Sequence, residues 1–234
     1  MHLNSDLDGC SCLCQRGDWG EEELCFLSEE PHSLQLLTKL DLRNTEISKK
    51  SMRGLTRLTS LCYLGTLRFR PEAFPLLPLL TQLQIVSFNL DYPKPTLADL
   101  QQRCHVLTSC KHLSELAVRR LKDESLLTAF LLMLVKSLPQ LRQLEFSDCP
   151  IMTHLHLLSN ASNLESLRLF NCRPLLPASD LILSLQHVSP SLSDLLLWSS
   201  ARLSVAEQRM FHPPSVSLPS FRKFEYDGRQ LPNE

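Results

Sequence analysis

Length, composition and charge exclude several classes of protein at the outset. The 234 residues include 24 Lys and Arg against 25 Asp and Glu, so the formal net charge of −1 gives no general attraction to nucleic acid or to an anionic membrane. Only 6 Gly and 15 Pro argue against low-complexity disorder, whereas the 53 leucines indicate a chain built around buried leucine side chains.

Residues 1–33 contain no repeated pattern, and we expect them to form an N-terminal cap or a flexible segment. Four of the nine cysteines lie here, at Cys10, Cys12, Cys14 and Cys25. Three interpretations stay open: reduced thiols, a disulfide-bonded cap, or a metal site that uses the Cys-x-Cys-x-Cys run. The opening residues lack a secretory signal, so we expect a cytoplasmic protein with reduced thiols, or alternatively a nuclear one.

From residue 34 to 234, a nine-residue phrase of the form L-x-x-L-x-L-x-x-C predicts a series of short strands. The phrase is complete at Leu141–Cys149 and Leu164–Cys172. Looser copies begin at Leu37, Leu64, Leu80, Leu113, Leu192 and Phe221. Within each copy, the L-x-L alternation predicts a strand with one buried face, which a single strand cannot bury alone. The copies recur every 16 to 33 residues and are therefore expected to stack on one another.

The connections between these strands carry helix signals. A helical stripe follows Thr96, an apolar helix is predicted over residues 123–137, and Ser204 with Glu207 forms a capping box. Another helix is predicted between Pro177 and Pro190. The prolines at 71, 75 and 78 instead predict an extended or turn-like connection that is not helical.

These phrases resemble the leucine-rich repeat. Their helical connections resemble two of its classes, the ribonuclease-inhibitor-like class and the cysteine-containing class found in F-box substrate receptors of ubiquitin ligases, and the stretches 109–116, 138–149 and 163–172 look like the second class. The resemblance spans residues 34–231. It implies an α/β solenoid with a parallel sheet on its concave face, helices or irregular connections on its convex face, and binding of another protein by the concave face.

The x positions of each phrase point away from the leucines and form two predicted columns. The first column is Asp41, Arg68, Gln84, Ala117, Glu145, Arg168, Leu196 and Glu225. The second is Arg43, Arg70, Val86, Arg119, Ser147, Phe170, Trp198 and Asp227.

Two candidate partner-binding surfaces follow from these columns. One is a basic strip of Arg43, Arg68, Arg70 and Arg119, and the other is an apolar patch of Phe170, Leu196 and Trp198 with Arg168 beside it. The alternative for the strip is an ordinary solvated surface. The alternative for the aromatic residues is burial through a change of register.

Catalytic motifs are missing: the chain has no Gly-x-Ser-x-Gly, His-Glu-x-x-His or phosphate-binding glycine loop, and we predict neither enzyme activity nor a cofactor. His154 and His156 would share one face of a strand, but two histidines alone do not make a metal site. Cys149 and Cys172 are predicted to be buried. The sequence thus favours a non-catalytic protein-binding module of substrate-receptor type. The alternatives are a regulatory inhibitor resembling the ribonuclease-inhibitor class and a metal-binding protein that uses the N-terminal cysteines.

Overall fold

A computed structural model describes ten stretches of the chain. They are residues 4–5, 11–15, 35–42, 45–90, 94–174, 176–188, 191–198, 203–211, 222–226 and 229–230. The chain divides into two compact units, an N-terminal unit, Met1–Leu116, and a C-terminal unit, Ala117–Glu234. Within the described stretches, none of the helices has the length and apolar character of a membrane span.

The N-terminal unit is built on parallel strands with helical connections. Its strands are β1 (Asn4–Ser5), β2 (Ser11–Gln15), β3 (Leu37–Leu42), β4 (Glu46–Ile47), β5 (Tyr63–Phe69) and β6 (Ile85–Asn89), and β7 (Glu115–Arg119) spans the boundary. The strands β2, β3, β5 and β6 pair in parallel in that order, whereas β1 is antiparallel to β2. The connections include α1 (Lys49–Leu55), a 3-10 helix (Phe74–Leu79) and α2 (Leu97–Thr108).

The C-terminal unit repeats this arrangement. Its strands are β8 (Gln143–Ser147), β9 (Ser166–Phe170), β10 (Asp194–Trp198), β11 (Lys223–Tyr226) and β12 (Arg229–Gln230). The first four pair in parallel in chain order, and β12 is antiparallel to β11. The helices are α3 (Glu124–Ser137), α4 (Ala178–Gln186) and α5 (Val205–Gln208), with 3-10 helices at Met152–Asn160 and Arg209–Phe211.

Three of the predicted helices begin at side-chain capping residues. The backbone N–H of Asp99 donates to Thr96 Oγ1 at 3.2 Å, and the N–H of Thr96 donates to Asp99 Oδ2 at 2.8 Å, which satisfies two donors that α2 leaves unpaired. Asp123 caps α3 by accepting from the N–H of Leu126. Ser204 and Glu207 form the predicted capping box of α5.

One prediction about a connection was wrong. The proline-rich connection is a 3-10 helix, Phe74–Leu79, with Pro75 in its first turn and Pro78 inside it. Proline can occupy the first turn because the N–H it lacks has no helical partner there. His154 and His156, considered above as a pair on one strand face, lie in the 3-10 helix Met152–Asn160.

The register of the C-terminal unit confirms the predicted α/β leucine-rich-repeat fold. The Cα atoms of Leu144, Leu167 and Leu195 are partners across three successive strands, and all three side chains are buried. The third leucine position of each phrase aligns in the same way and is also buried. Each strand therefore contributes alternate residues to one shared apolar layer, as stacked repeats require.

The register of two N-terminal copies differs from the sequence prediction by three residues. Backbone hydrogen bonds run from Cys62 N–H to the Thr38 carbonyl and from Gln84 N–H to the Cys62 carbonyl, each 2.8 Å. The residue after the first leucine makes the same bond in the C-terminal unit, where Glu165 N–H donates to the Arg142 carbonyl at 2.8 Å. The two copies thus begin at residues 61 and 83 rather than 64 and 80. In consequence Val86, predicted to point away from the core, is fully buried.

Candidate functional site on the outward face of the sheet

The outward face of a unit is the face of its sheet that lies opposite the leucine core. In the C-terminal unit, strand pairing aligns Glu145, Arg168, Leu196 and Glu225 in one column. The next column along the strands aligns Ser147, Phe170 and Trp198. Both columns match those read from the sequence. Parallel strands lie about 4.8 Å apart, so side chains in neighbouring strands of one column are close neighbours.

Four of these residues combine apolar and cationic side chains on that face. We define the arginine-aromatic patch as Arg168, Phe170, Leu196 and Trp198. Trp198 is 45% exposed, and the other three side chains are half-buried. The alternative in which a change of register buries the aromatic residues in the core is wrong, because their neighbours Leu169 and Leu197 fill the core positions.

The charges that flank the patch are paired within the chain. Arg119 Nη2 lies 3.0 Å from Glu145 Oε1, and Lys223 Nζ lies 2.7 Å from Glu225 Oε1. Arg168 lies between these two pairs in the register. Its side chain makes no hydrogen bond or ion pair in the part of the chain that the structure describes.

A polar ladder holds the ends of the strands that carry the two aromatic residues. The N–H of Asp148 donates to the Phe170 carbonyl at 2.9 Å, and the N–H of Asn171 donates to the Trp198 carbonyl at 2.7 Å. Asn171 Nδ2 also donates to Asp148 Oδ1 at 2.6 Å. Asp148 and Asn171 have φ values of 56° and 51°, a left-handed conformation that Asn and Asp tolerate better than other side chains.

Sequence reasoning missed these two residues because it concentrated on the cysteines that follow them. Their signal is present: an Asp or Asn directly before Cys149 and Cys172 is the residue type that a left-handed turn favours. The ladder matters to the patch because it fixes the backbone at Phe170 and Trp198, and so their side-chain directions.

The turn cysteines are buried, as predicted. Cys172 Sγ donates to the Phe146 carbonyl at 3.3 Å, and Cys149 Sγ donates to the Ser147 carbonyl at 3.3 Å. Burial raises the pKa of the Cys149 thiol to about 12, which keeps it protonated and unreactive at neutral pH. These cysteines therefore act as small core residues that also cap backbone carbonyls.

The N-terminal cysteine hypotheses fall largely outside the described part of the chain. Cys10 and Cys25 lie outside the described residues, and Cys12 and Cys14 are described only by the backbone of β2. Among the described residues, no three His, Cys, Asp or Glu side chains come close enough together to hold a metal ion.

The residues predicted to form a basic strip across the two columns lie in different settings. Arg43 lies outside the described residues. Arg68 is the Cα partner of Glu46 in the short strand β4, and Arg70 Nε pairs with Glu46 Oε1 at 2.9 Å. The column position opposite Asp41 is held by Gly65, because of the three-residue change of register. Arg119, of the C-terminal unit, is paired with Glu145 as described above.

The outward face of the N-terminal unit has a different character. Asp41, Gly65 and Ser87 are all buried, at 8% exposure for Asp41 and 3% for Ser87. The ring of Tyr63 lies over Gly65, in space that a Cβ atom would otherwise fill. The described positions of this face that correspond to Arg168 and Leu196 in the other unit, Asp41, Gly65 and Ser87, therefore carry no large exposed side chain.

No family model and no curated protein matches the sequence. Among solved structures, an internalin from Listeria monocytogenes is similar over 83% of this chain and 68% of its own chain, with 14% sequence identity and a TM-score of 0.33. A likeness at that level carries no argument about function. The features that identify the fold are the parallel pairing, the repeated hydrogen bonds and the buried leucines of the chain itself.

Proposed function

We propose that the chain is a non-catalytic protein-binding module whose contact surface is the outward face of the C-terminal unit. The observation that carries this proposal is the register that places Phe170 beside Trp198 on the face opposite the core, with Trp198 45% exposed. Exposing aromatic surface to water costs free energy that burial would recover. Tryptophan and arginine are also the residues that contribute most where proteins bind each other.

The rigidity of the surface supports the same function. The strands beneath the patch are anchored by fully buried leucines, and the strand ends are tied by the bonds of Asp148 and Asn171. A side chain that is already held in place loses less conformational freedom on binding, which leaves more of the contact energy as affinity.

The experiment is quantitative capture of partners from a cell lysate by the tagged full chain and by two double variants. Phe170→Ala with Trp198→Ala removes the two aromatic rings. Leu132→Ala with Leu183→Ala is the matched control, because both leucines are more than half exposed but lie on helices α3 and α4.

We expect a set of proteins that the unmodified chain and the control retain equally and that the aromatic double variant loses. Each aromatic truncation should weaken retention by about 1–2 kcal/mol or more, as at other interface anchors. Equal retention by all three chains would place the binding surface elsewhere and refute the proposal.

A narrower version of this function is a substrate receptor of a ubiquitin ligase acting in the cytoplasm. Its support is the placement of Cys149 and Cys172 at repeat turns, as in the cysteine-containing repeat class that the sequence resembles. The five cysteines whose side chains the structure describes carry free thiols, which is compatible with a reducing compartment. Recovery of a ligase adaptor with the chain would support this version. Recovery of one enzyme without any adaptor would favour a regulatory inhibitor instead.

A further inference from the structure

Building on the proposed function, we infer that the arginine-aromatic patch selects an extended partner segment in which an acidic residue lies two positions from a large apolar residue. The inference concerns the chemistry of the partner, which the presence of a binding face does not by itself determine. It follows from the charge left uncompensated at Arg168 and from the positions of Phe170, Leu196 and Trp198 around it.

The charge argument begins with the neighbours of Arg168. Glu145 lies next to it in the column but is occupied by Arg119, at 3.0 Å, and the Glu145 side chain is only 15% exposed. On the other side comes Leu196, and beyond it Glu225, which pairs with Lys223. Arg168 is half-buried among these residues and makes no ion pair in the described part of the chain. A carboxylate is the acceptor that matches a single guanidinium group.

The same charges disfavour polyanions as ligands. Only one cation of the column is uncompensated among the described residues, and two glutamates lie in that column. A phosphate group or a nucleic-acid strand would bring more than one negative charge close to those glutamates. A single carboxylate compensates the charge of Arg168. The partner is therefore a protein segment with an isolated Asp or Glu.

The spacing of the apolar residues sets the position of the second group. Phe170 lies two residues after Arg168 on one strand, which is about 6.6 Å along the strand, and Trp198 lies one strand further, about 4.8 Å away. Leu196 adjoins Arg168 across the same strand pair. An extended segment matches this spacing when its acidic residue and its Leu, Phe or Trp are two positions apart, since its own repeat is also about 6.6 Å.

The test is selection from a displayed library of random peptides against the purified full chain, with counter-selection on the Trp198→Ala variant. Selected peptides are then synthesised with a fluorescent label, and their dissociation constants are measured by anisotropy. The variants are Arg168→Glu and a matched control, Lys136→Glu, which makes the same change of charge on the exposed surface of α3.

We expect enrichment of peptides with Asp or Glu two positions from a large apolar residue. Arg168→Glu should weaken their binding at least about tenfold, and a peptide with Lys in place of its acidic residue should recover part of the loss. Lys136→Glu should leave binding unchanged. Enrichment of apolar peptides without an acidic residue, still dependent on Trp198, would overturn this inference but leave the proposed function standing. A selection that yields no peptide dependent on Trp198 would overturn the inference whether or not lysate capture finds a partner.

Discussion

The outward faces of the two units are both built on parallel strands and differ in what their side chains do. In the N-terminal unit this face carries Asp41, Gly65 and Ser87, all buried, and Tyr63 lies over the glycine. The C-terminal unit carries Arg168 and Leu196 at the corresponding kind of position, half-buried, with Trp198 exposed at the strand end. Both units have a core of buried leucines, so the difference lies in the residues at the x positions of the repeat phrase.

This difference predicts which residues contribute to stability and which contribute to binding. On the N-terminal face, Asp41, Gly65 and Ser87 are buried and Gly65 lies under the ring of Tyr63, so a change there should be detected as a change in folding. On the C-terminal face, Trp198 is 45% exposed and the other three residues of the arginine-aromatic patch are half-buried, so a change there should be detected in partner binding more than in folding.

The largest expected effect is on the free energy of unfolding, and it concerns the buried leucine layer that both units contain. Leu64→Ala in one unit and Leu167→Ala in the other each remove a fully buried leucine from equivalent core positions. Each should lower the free energy of unfolding by about 2–5 kcal/mol, measured by denaturant titration. Leu183→Ala, at a leucine that is 57% exposed, is the control and should cost less than about 0.5 kcal/mol. A loss equal to that of the control at either core position would show that the leucine layer is misassigned.

How far the sequence predicts each unit depends on how many register choices its leucines allow. In the C-terminal unit, the complete phrases 141–149 and 164–172 each end in a buried cysteine, and only one register satisfies every position. The columns through Arg168 and Phe170 were therefore predictable from the amino-acid sequence alone. Helices were predictable wherever a capping residue precedes an apolar stripe, as at Thr96 and Asp123.

The N-terminal unit was less predictable because its leucines recur every three residues. Leucines at 58, 61, 64 and 67, and again at 77, 80 and 83, satisfy an L-x-x-L spacing in more than one register. The choice between registers is made by backbone hydrogen bonds such as Cys62 N–H to the Thr38 carbonyl, which side-chain patterns do not encode. The small buried residues of the outward face, Gly65 and Ser87, became assignable only with that register.

Alkaline pH should weaken the C-terminal unit through its buried turn thiol. Burial raises the pKa of Cys149 to about 12, whereas an unfolded thiol titrates near about 8.5. Below that lower value both states keep the proton, and stability does not depend on this group. As pH rises above it, the unfolded chain loses the proton first, so the folded state loses stability, by about 1–2 kcal/mol near pH 10.

The measurement is the free energy of unfolding between about pH 7 and pH 10.5 for the unmodified chain and for Cys149→Ala. The variant should show a shallower fall with pH, because the titrating thiol is gone, whatever its stability at neutral pH. Leu183→Ala changes no titrating group and should keep the slope of the unmodified chain. Identical slopes in Cys149→Ala and the unmodified chain would contradict the burial of this thiol.

The packed outward face of the N-terminal unit can be tested by a substitution whose effect should change sign. Gly65→Ala places a Cβ atom against the ring of Tyr63 and should destabilise the unmodified chain by about 1 kcal/mol, because the ring must move. In a Tyr63→Ala background the obstacle is absent. There the same substitution should stabilise the chain by about 0.5 kcal/mol, since alanine loses less conformational freedom than glycine in a strand. Additive effects in this double-mutant cycle would show that Tyr63 does not constrain Gly65.

The smallest expected effect on folding is on the C-terminal outward face. Trp198→Ala removes a side chain that is 45% exposed and whose neighbours Leu197 and Leu169 keep their own buried places. The free energy of unfolding should therefore change by less than about 0.5–1 kcal/mol, the range for surface sites away from the core. A near-zero change in stability, together with lost partner retention, would separate binding from folding on this face. If Trp198→Ala instead costs as much as Leu167→Ala, the tryptophan belongs to the packed structure, and the two outward faces differ in composition but not in role.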